Sequence, residues 1–237
     1  MKALLLAAGY GTRLKPLTDT TPKCLVPICG KPLLDWWFDL FKEHGITDVL
    51  INTHYLRDQV QEFINETNSK GELHVTEAYE PVLAGSGGFM RNNLNLWKGD
   101  ESVLICYADN LTNTNLTEFR RFHESKDGIL SMALFHAPQP KQCGIVSLGE
   151  NDLIESFTEK PENPASDLAN AGIYIANSSI LPFFNKDGFL DFGKDILPQL
   201  AGKMYGWEDP YYLIDIGTPE NYSKAQEDWA TILKEKR

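Results

Sequence analysis

The sequence predicts an α/β fold with a mainly parallel sheet flanked by helices. Over roughly the first 137 residues, apolar β-type runs alternate with helix-like runs in the rhythm of βαβ units. Beyond about residue 140 the rhythm changes to closely spaced β-type runs, which points to a smaller, β-rich second lobe. The bulk properties agree: 237 residues, 42% of them apolar, with 18 Gly and 13 Pro, suit a globular chain with a sizeable core.

Taken in order, the early β-type runs fall at about 3–8, 46–53, 72–79, 102–108 and 129–137, and the helix-like ones at about 32–44, 56–67, 87–97 and 116–126. In the first helix, Pro32 takes a first-turn position where its missing N–H is tolerated. Leu33, Leu34, Trp36, Trp37, Leu40 and Phe41 form its apolar face, and Gly45 stops it. The later β-type runs, at about 143–149, 153–159 and 170–176, lead to a helical stretch near 191–200, a strand near 210–216 and a last helix. Thr218 is the expected N-cap of that helix and Pro219 its first residue, while Lys234, Lys236 and Arg237 lie at the carbonyl end, where cations suit the dipole. No repeat, low-complexity tract or linker interrupts the chain. One domain over 1–237 is therefore expected, with a lobe of about 1–137 and another of about 138–237.

Charge narrows the function. A formal net charge of -11 and a pI near 4.9 argue against a nucleic-acid partner, which needs a surplus of Lys and Arg. Small phosphorylated ligands need only a few local cations. Cys24, Cys29, Cys106 and Cys143 show no Cys-x-x-Cys spacing and no nearby histidines, so reduced, mostly buried thiols are expected rather than a zinc site or disulfide framework. The apolar start Ala3-Leu4-Leu5-Leu6-Ala7-Ala8 is too short for a membrane span, and its continuation lacks the form of a secretory signal. A cytoplasmic protein with no membrane partner is the expectation.

The strongest motif runs from Leu4 through Ala8, Gly9, Tyr10, Gly11, Thr12, Arg13 and Leu14 to Thr18, and continues with Pro22-Lys23. A buried strand ends there in a loop whose two glycines let the backbone approach a phosphate chain, and Arg13 and Lys23 add charge. A bare Gly-x-Gly is more often a tight strand-to-helix turn; the attached Thr12, Arg13, Pro22 and Lys23 favour a ligand site. Leu14 stands where a dinucleotide fingerprint has its third glycine, and no Gly-Lys-Ser/Thr follows, so this is neither a dinucleotide loop nor a Walker A loop.

The loop resembles that of the sugar-nucleotide pyrophosphorylases, the sugar-1-phosphate nucleotidyltransferases, which open with a strand and a Gly-x-Gly-Thr-Arg…Pro-Lys segment. Further matching elements recur in family order over most of the chain: Leu83 to Gly88, Ala108-Asp109-Asn110, Cys143 to Val146, Glu159-Lys160-Pro161, Asn170 to Tyr174, and Asp215 to Pro219. The resemblance implies a Rossmann-like nucleotide-binding lobe beside a sugar-binding one. It implies that Ala8, Gly9, Gly11, Thr12, Arg13, Lys23, Gly85 and Gly88 bind the nucleotide, with Arg13, Lys23 and Asp109 carrying the chemistry. Gly85 and Gly88 are also readable as a helix-entry turn.

Two aspartates end apolar runs, Asp109 after Ser102 to Ala108 and Asp215 after Tyr211 to Ile214. A carboxylate at the carboxyl edge of a strand is where open α/β sheets bind ligands, although an aspartate in such a place is commonly a plain cap or turn residue. The resemblance implies that Asp109 and Asp215 hold Mg²⁺, a hard cation that needs only one or two protein carboxylates beside phosphate oxygens and water. Ala108 departs from the family, which usually has glycine before this aspartate. On the sugar side, the likeness assigns Gly144, Glu159, Lys160 and Asn170 to the sugar phosphate. Without the surrounding motifs, Glu159-Lys160-Pro161 reads as an exposed hairpin end.

The activity implied is condensation of a sugar-1-phosphate with a nucleoside triphosphate, giving a nucleotide sugar and pyrophosphate. The run Asn170-Ala171-Gly172-Ile173-Tyr174 tilts the reading toward GTP with mannose-1-phosphate or a related sugar. Thymidylyl, uridylyl or cytidylyl transfer, and a non-catalytic nucleotide-sugar-binding regulator, are the alternatives. The oligomeric state is open, a homodimer included.

Overall fold

The computed structural model describes residues 1–98 and 102–235. The chain adopts the expected mixed α/β class, its central sheet largely parallel and flanked by helices. After strand β1 (Lys2–Leu6) the chain runs through three short 3-10 turns into a tight hairpin, β2 (Pro27–Ile28) and β3 (Lys31–Pro32). Helix α1 (Leu33–Glu43), β4 (Asp48–Thr53), α2 (Arg57–Ser69), β5 (His74–Tyr79) and α3 (Ser86–Asn92) follow. Next come β6 (Val103–Tyr107), β7 (Asn110–Thr112), α4 (Leu116–Glu124) and β8 (Leu130–His136). The later part holds β9 (Gly144–Leu148), β10 (Ile154–Glu159), β11 (Leu168–Ala176), β12 (Met204–Glu208), β13 (Leu213–Asp215) and α5 (Pro219–Glu235).

Two compact units share this chain, and they interleave along it. The terminal unit, named for its place in the sequence, comprises Leu4–Val82, Tyr107–Thr114 and Tyr211–Arg237; the central unit comprises Met1–Ala3, Leu83–Cys106 and Asn115–Pro210.

In the terminal unit β1, β4 and β5 lie side by side, with β4 and β5 parallel from Asp48 opposite His74 to Thr53 opposite Tyr79. Their connection is α2, as a parallel pair requires. Helix α1 buries Leu33, Leu34, Trp37, Phe38, Leu40 and Phe41, so the expected apolar face is real and Phe38 belongs to it. Trp36 is only half-buried: its indole N–H donates to the Ile28 carbonyl and its ring meets Trp229 edge-on. Pro32 is the N-cap rather than the first helical residue. It is still extended, at ψ 141°, because it is paired with Pro27 in the hairpin. Gly45 ends the helix at φ 68°, the left-handed conformation that glycine tolerates. Helix α5 starts as expected on Pro219, with the Thr218 hydroxyl accepting from the Asn221 N–H. Lys234 is in its last turn, while Lys236 and Arg237 lie outside the described residues.

In the central unit β11 is the organising strand, pairing antiparallel with β6, β8 and β9. β9 and β10 form an antiparallel hairpin, and β12 runs parallel to β8. Sequence reading omits β12, a five-residue strand interrupted by Gly206. A side chain at 206 would sit 2.5 Å from a Leu134 methyl and 2.8 Å from a Leu148 methyl, so the glycine leaves room for the side chains packed over the strand. The helical stretch near 191–200 is a π-turn over Phe192–Ile196 handing on to a 3-10 turn over Leu197–Leu200. Pro198, with no N–H, cannot continue an α-helical ladder there. Cys24 and Cys106 are buried, as expected of most of the thiols, but Cys29 is exposed and Cys143 half-exposed. Among the described residues no helix is long and apolar enough to cross a membrane.

Candidate active site

The loop after β1 is shaped by what its backbone can and cannot hydrogen-bond. The Ala7 and Ala8 N–H groups both donate to Asn52 Oδ1 at the end of β4, at 2.6 and 3.2 Å. Beyond them Gly9 and Tyr10 are exposed, Gly11 turns left-handed at φ 65°, and Thr12–Leu14 close a 3-10 turn in which Leu14 N–H donates to the Gly11 carbonyl. The Thr18 hydroxyl donates to that same carbonyl at 2.8 Å. Gly11 is fixed twice over, because an added Cβ would lie 2.9 Å from Thr18 Cγ2. Gly9 differs: an added Cβ would meet nothing within 4 Å. Thr12 and Arg13 are exposed on the turn, and Leu14 anchors it in the core.

The charged groups named from the sequence converge within the same unit. Lys23 opens a 3-10 turn after Pro22 and is 8% exposed; its ammonium donates to Asp109 Oδ2 and to Asp215 Oδ1, each at 2.8 Å. The Arg13 guanidinium reaches the other Asp215 oxygen at 3.3 Å. Burial pulls the Lys23 pKa down, but the charges and hydrogen bonds of the two aspartates outweigh it and hold it above the ordinary lysine value. The neighbouring Cys24 thiol, fully buried, is pushed up to about 12 and stays protonated.

Backbone hydrogen bonds place both acids. Asp109 lies in the turn between β6 and β7; the preceding Ala108 N–H donates to the Leu6 carbonyl, and the Asp109 carbonyl accepts from Ile216 N–H at 3.1 Å. Ala108 is not among the positive-φ residues, so alanine fits where the family has glycine. Asp215 ends β13, opposite Asn110 of β7, and its Oδ1 also accepts from Gly217 N–H at 2.8 Å. Gly217 belongs to the Asp215 to Pro219 motif, where sequence reading gives it no role of its own. A Cβ there would stand 2.8 Å from Lys23 Nζ and 2.9 Å from an Arg13 guanidinium nitrogen, so a side chain at 217 would push the two cations out of this arrangement.

The remaining predicted residues belong to the central unit. Gly144 faces Glu159 across the β9–β10 hairpin, and a Cβ on Gly144 would lie 2.6 Å from the Phe157 ring and 2.9 Å from Glu159 Oε2. Gly193 leaves space on the same carboxylate, its Cβ position lying 3.2 Å from Oε2. Burial raises the Glu159 pKa; Lys160 opposes the rise and Asp191 adds to it, and the net lies above the usual carboxylate value. Lys160 is held at φ 49° and points a mostly exposed ammonium 3.6 Å from Glu159 Oε1. Asn170 donates to the Tyr174 hydroxyl and accepts from Gly172 N–H, across an irregularity in the β11–β8 register. Gly85 and Gly88 have packing reasons of their own. Gly85 is left-handed with the Leu190 carbonyl 2.4 Å from its Cβ position, and Gly88 N–H donates to that carbonyl.

Residues 2–231 match the family model for nucleotidyl transferases. A UTP–glucose-1-phosphate uridylyltransferase of Synechocystis sp. is 28% identical, aligning with 95% of this chain and 62% of its own length. Mannose-1-phosphate guanylyltransferase 1 of Arabidopsis thaliana is 29% identical over 100% of this chain and 66% of its own length. The chain thus spans less than two thirds of the length of these curated relatives. Among solved structures, HddC from Yersinia pseudotuberculosis complexed with GMP-PN superposes with a TM-score of 0.80 at 25% identity, covering 96% of this chain and 99% of that one.

Proposed function

The chain belongs to the nucleotidyl transferase family, and on that premise we propose that it joins a sugar-1-phosphate to a nucleoside triphosphate, releasing pyrophosphate, with GTP and mannose-1-phosphate or a related sugar as the favoured pair. One observation carries the reading: Lys23, Arg13, Asp109 and Asp215 meet as a single cluster beside an exposed glycine loop. Bringing two phosphorylated anions together requires such charge neutralisation before attack.

An oxygen of the sugar phosphate attacks the α-phosphorus in line, the bond to the β-phosphate oxygen breaks, and pyrophosphate leaves. The attacking group is already anionic, so no protein base or nucleophile is needed, and the work is positioning and electrostatics. Arg13, exposed on its turn, meets the charge that grows on the departing pyrophosphate. Lys23, held from below by two carboxylates, presents a fixed cation to the phosphate chain. In the central unit, Lys160 offers the sugar phosphate a cation, while Glu159 and Asn170 accept and donate hydrogen bonds to ring hydroxyls.

The acid pair fits Mg²⁺. Asp109 and Asp215 already converge on one cation, both are part-exposed, and their donors are hard oxygens. Asp109 and Asp215 would hold the ion, which when bound neutralises phosphate oxygens of the nucleotide.

The guanylyltransferase of Arabidopsis and the GMP-PN complex of the Yersinia protein favour guanine; the Synechocystis uridylyltransferase keeps uridylyl transfer as the second reading. A cytoplasmic location belongs to the same proposal. The test is a screen of GTP, dTTP, UTP, CTP and ATP against several sugar-1-phosphates, reading pyrophosphate. Release with GTP and mannose-1-phosphate supports the favoured pair; release with another pair moves the assignment to it. Nucleotide binding with no release for any pair would make the protein a sensor.

A further inference from the structure

The glycine loop is held by a buried polar pair that the charge cluster does not use. Asn52 is 5% exposed and Glu80 is 8% exposed, both at the ends of the parallel strands β4 and β5. Asn52 Oδ1 takes the Ala7 and Ala8 N–H groups, and its Nδ2 donates to Glu80 Oε2 at 2.7 Å. A second line runs parallel to the first: His54 bonds the Glu80 carbonyl at 2.6 Å through Nδ1 and the Tyr10 hydroxyl at 2.8 Å through Nε2. The loop is therefore gripped on both sides of Gly9, at Ala7–Ala8 and at Tyr10, and both grips end on Glu80.

We propose that Asn52 is a positioning residue for the triphosphate, with Glu80 locking its amide in the required orientation. The proposal rests on the reading that the loop after β1 cradles a phosphate chain. An amide side chain can rotate by half a turn and exchange oxygen for nitrogen. With nitrogen toward the loop, two backbone donors would face a third donor, and the loop would have to move. Glu80 is an acceptor and stabilises only the arrangement with Nδ2 toward it and Oδ1 toward Ala7 and Ala8. Those two N–H groups are thereby committed to the protein, and the peptide groups that follow, from Gly9 to Thr12, leave the strand in one fixed direction. A cradle whose donors are set before the ligand arrives loses no binding energy in ordering them.

The experiment uses the pair's chemistry against it. Asn52→Asp keeps the acceptor for Ala7 and Ala8 but sets a carboxylate against Glu80, whereas the double variant with Glu80→Gln restores one donor and one acceptor across the contact. Titration of GTP and dTTP in magnesium buffer, by calorimetry, should show Asn52→Asp binding at least tenfold more weakly. The double variant should stay within threefold of the unaltered protein, and Glu80→Gln, whose amide can face Asn52 in either orientation, should bind more weakly than that but better than Asn52→Asp. In turnover, the triphosphate KM should rise and kcat fall in Asn52→Asp, while the sugar-phosphate KM stays put; a merely structural contact would lower the melting temperature without that split. Unchanged affinity in Asn52→Asp, or a double variant no better than the single one, would overturn the proposal. If Asn52→Asp does not fold, Glu80→Ala replaces it, with five- to tenfold weaker binding expected and unchanged binding overturning the idea. An unaltered protein that binds neither nucleotide sinks the proposed function and this inference together, whereas one that binds while the variants match it sinks this inference alone.

Discussion

Among the candidate site residues, the charged groups of the terminal unit are interlocked, whereas Lys160 of the central unit has only a long contact with its sequence neighbour. Lys23 is nine-tenths buried and shared between two carboxylates, one of which also takes Arg13 and a backbone N–H. Lys160, by contrast, lies in solvent 3.6 Å from its sequence neighbour, and the Glu159 carboxylate sits in a space kept open by Gly144 and Gly193. The contrast suits the two ligands proposed. A triphosphate needs a rigid, preorganised field, because charge develops there during the reaction, whereas a sugar is recognised through hydroxyls that tolerate adjustment. Variants in the two regions should therefore fail in different ways.

The largest difference is expected at Arg13. Its single long contact with Asp215 is exposed, so Arg13→Ala should cost at most about 1 kcal/mol of stability. Turnover should nevertheless drop by about 10²- to 10³-fold, the usual loss when one preorganised donor to a transition state is removed. Pyrophosphate release and a thermal melt on the same sample check both halves. Near-normal turnover would strip Arg13 of its role and leave the terminal unit with a merely structural cluster.

The next comparison sets Lys23→Met against Lys160→Met. Removing Lys23 leaves Asp109 and Asp215 without their shared cation, and since both are part-exposed the cost should be about 1–2 kcal/mol. Removing Lys160 should change stability by less than about 0.5 kcal/mol. Equal melting temperatures for the two variants would erase the distinction between interlocked and isolated charge.

These differences also mark what was legible beforehand. The strands of the parallel part announce themselves as apolar runs, and β1, β4, β5 and β6 fall within a few residues of their expected places. Arg13, Lys23, Asp109 and Asp215 were legible because each sits in a short motif at a strand end or loop. Asn52 and Glu80 were not, and Gly217 was legible only as a member of the Asp215 to Pro219 motif. Asn52 merely follows an apolar run, and its partners lie 45 and 28 residues away along the chain. Gly217 has no role of its own in that motif until the three-dimensional cluster shows what its missing side chain avoids. Gly85, readable from the sequence as a ligand loop or as a helix-entry turn, has the Leu190 carbonyl packed against it, a packing reason that local pattern does not show. Local pattern reveals elements, and only non-local contact reveals why a residue is indispensable.

A smaller effect tests the central unit through pH. The Glu159 pKa is raised by burial, with Lys160 opposing and Asp191 adding. For an acid shifted this way, folding favours the protonated form. Its contribution to stability is full below the unfolded carboxylate range and is lost as pH rises through the folded value. Glu159→Gln, which mimics the protonated form, should therefore melt slightly above the unaltered protein at pH 7.5, by less than the roughly 2–4 °C that 1 kcal/mol is worth in a chain of this size. Near pH 4 the two should converge. A variant less stable at pH 7.5 would mean that Glu159 is tied down as firmly as the terminal cluster, and the contrast between the units would weaken.

The smallest expected change in stability is the sharpest probe of the loop itself. Gly11→Ala should lower the melting temperature clearly, since an L side chain at φ 65° costs about 1–2 kcal/mol and its Cβ would press on Thr18. Gly9→Ala meets no protein atom within 4 Å and has no left-handed backbone, so its melting temperature should stay within the equivalent of about 0.5 kcal/mol. Nothing in the folded chain demands glycine at position 9, and only a ligand drawn against the backbone could demand it. If the loop holds a triphosphate there, Gly9→Ala will weaken GTP binding several-fold in calorimetry without moving the melt. If binding is untouched, the phosphates do not pass over Gly9, and the cradle must be assigned to the turn from Gly11 to Arg13 instead.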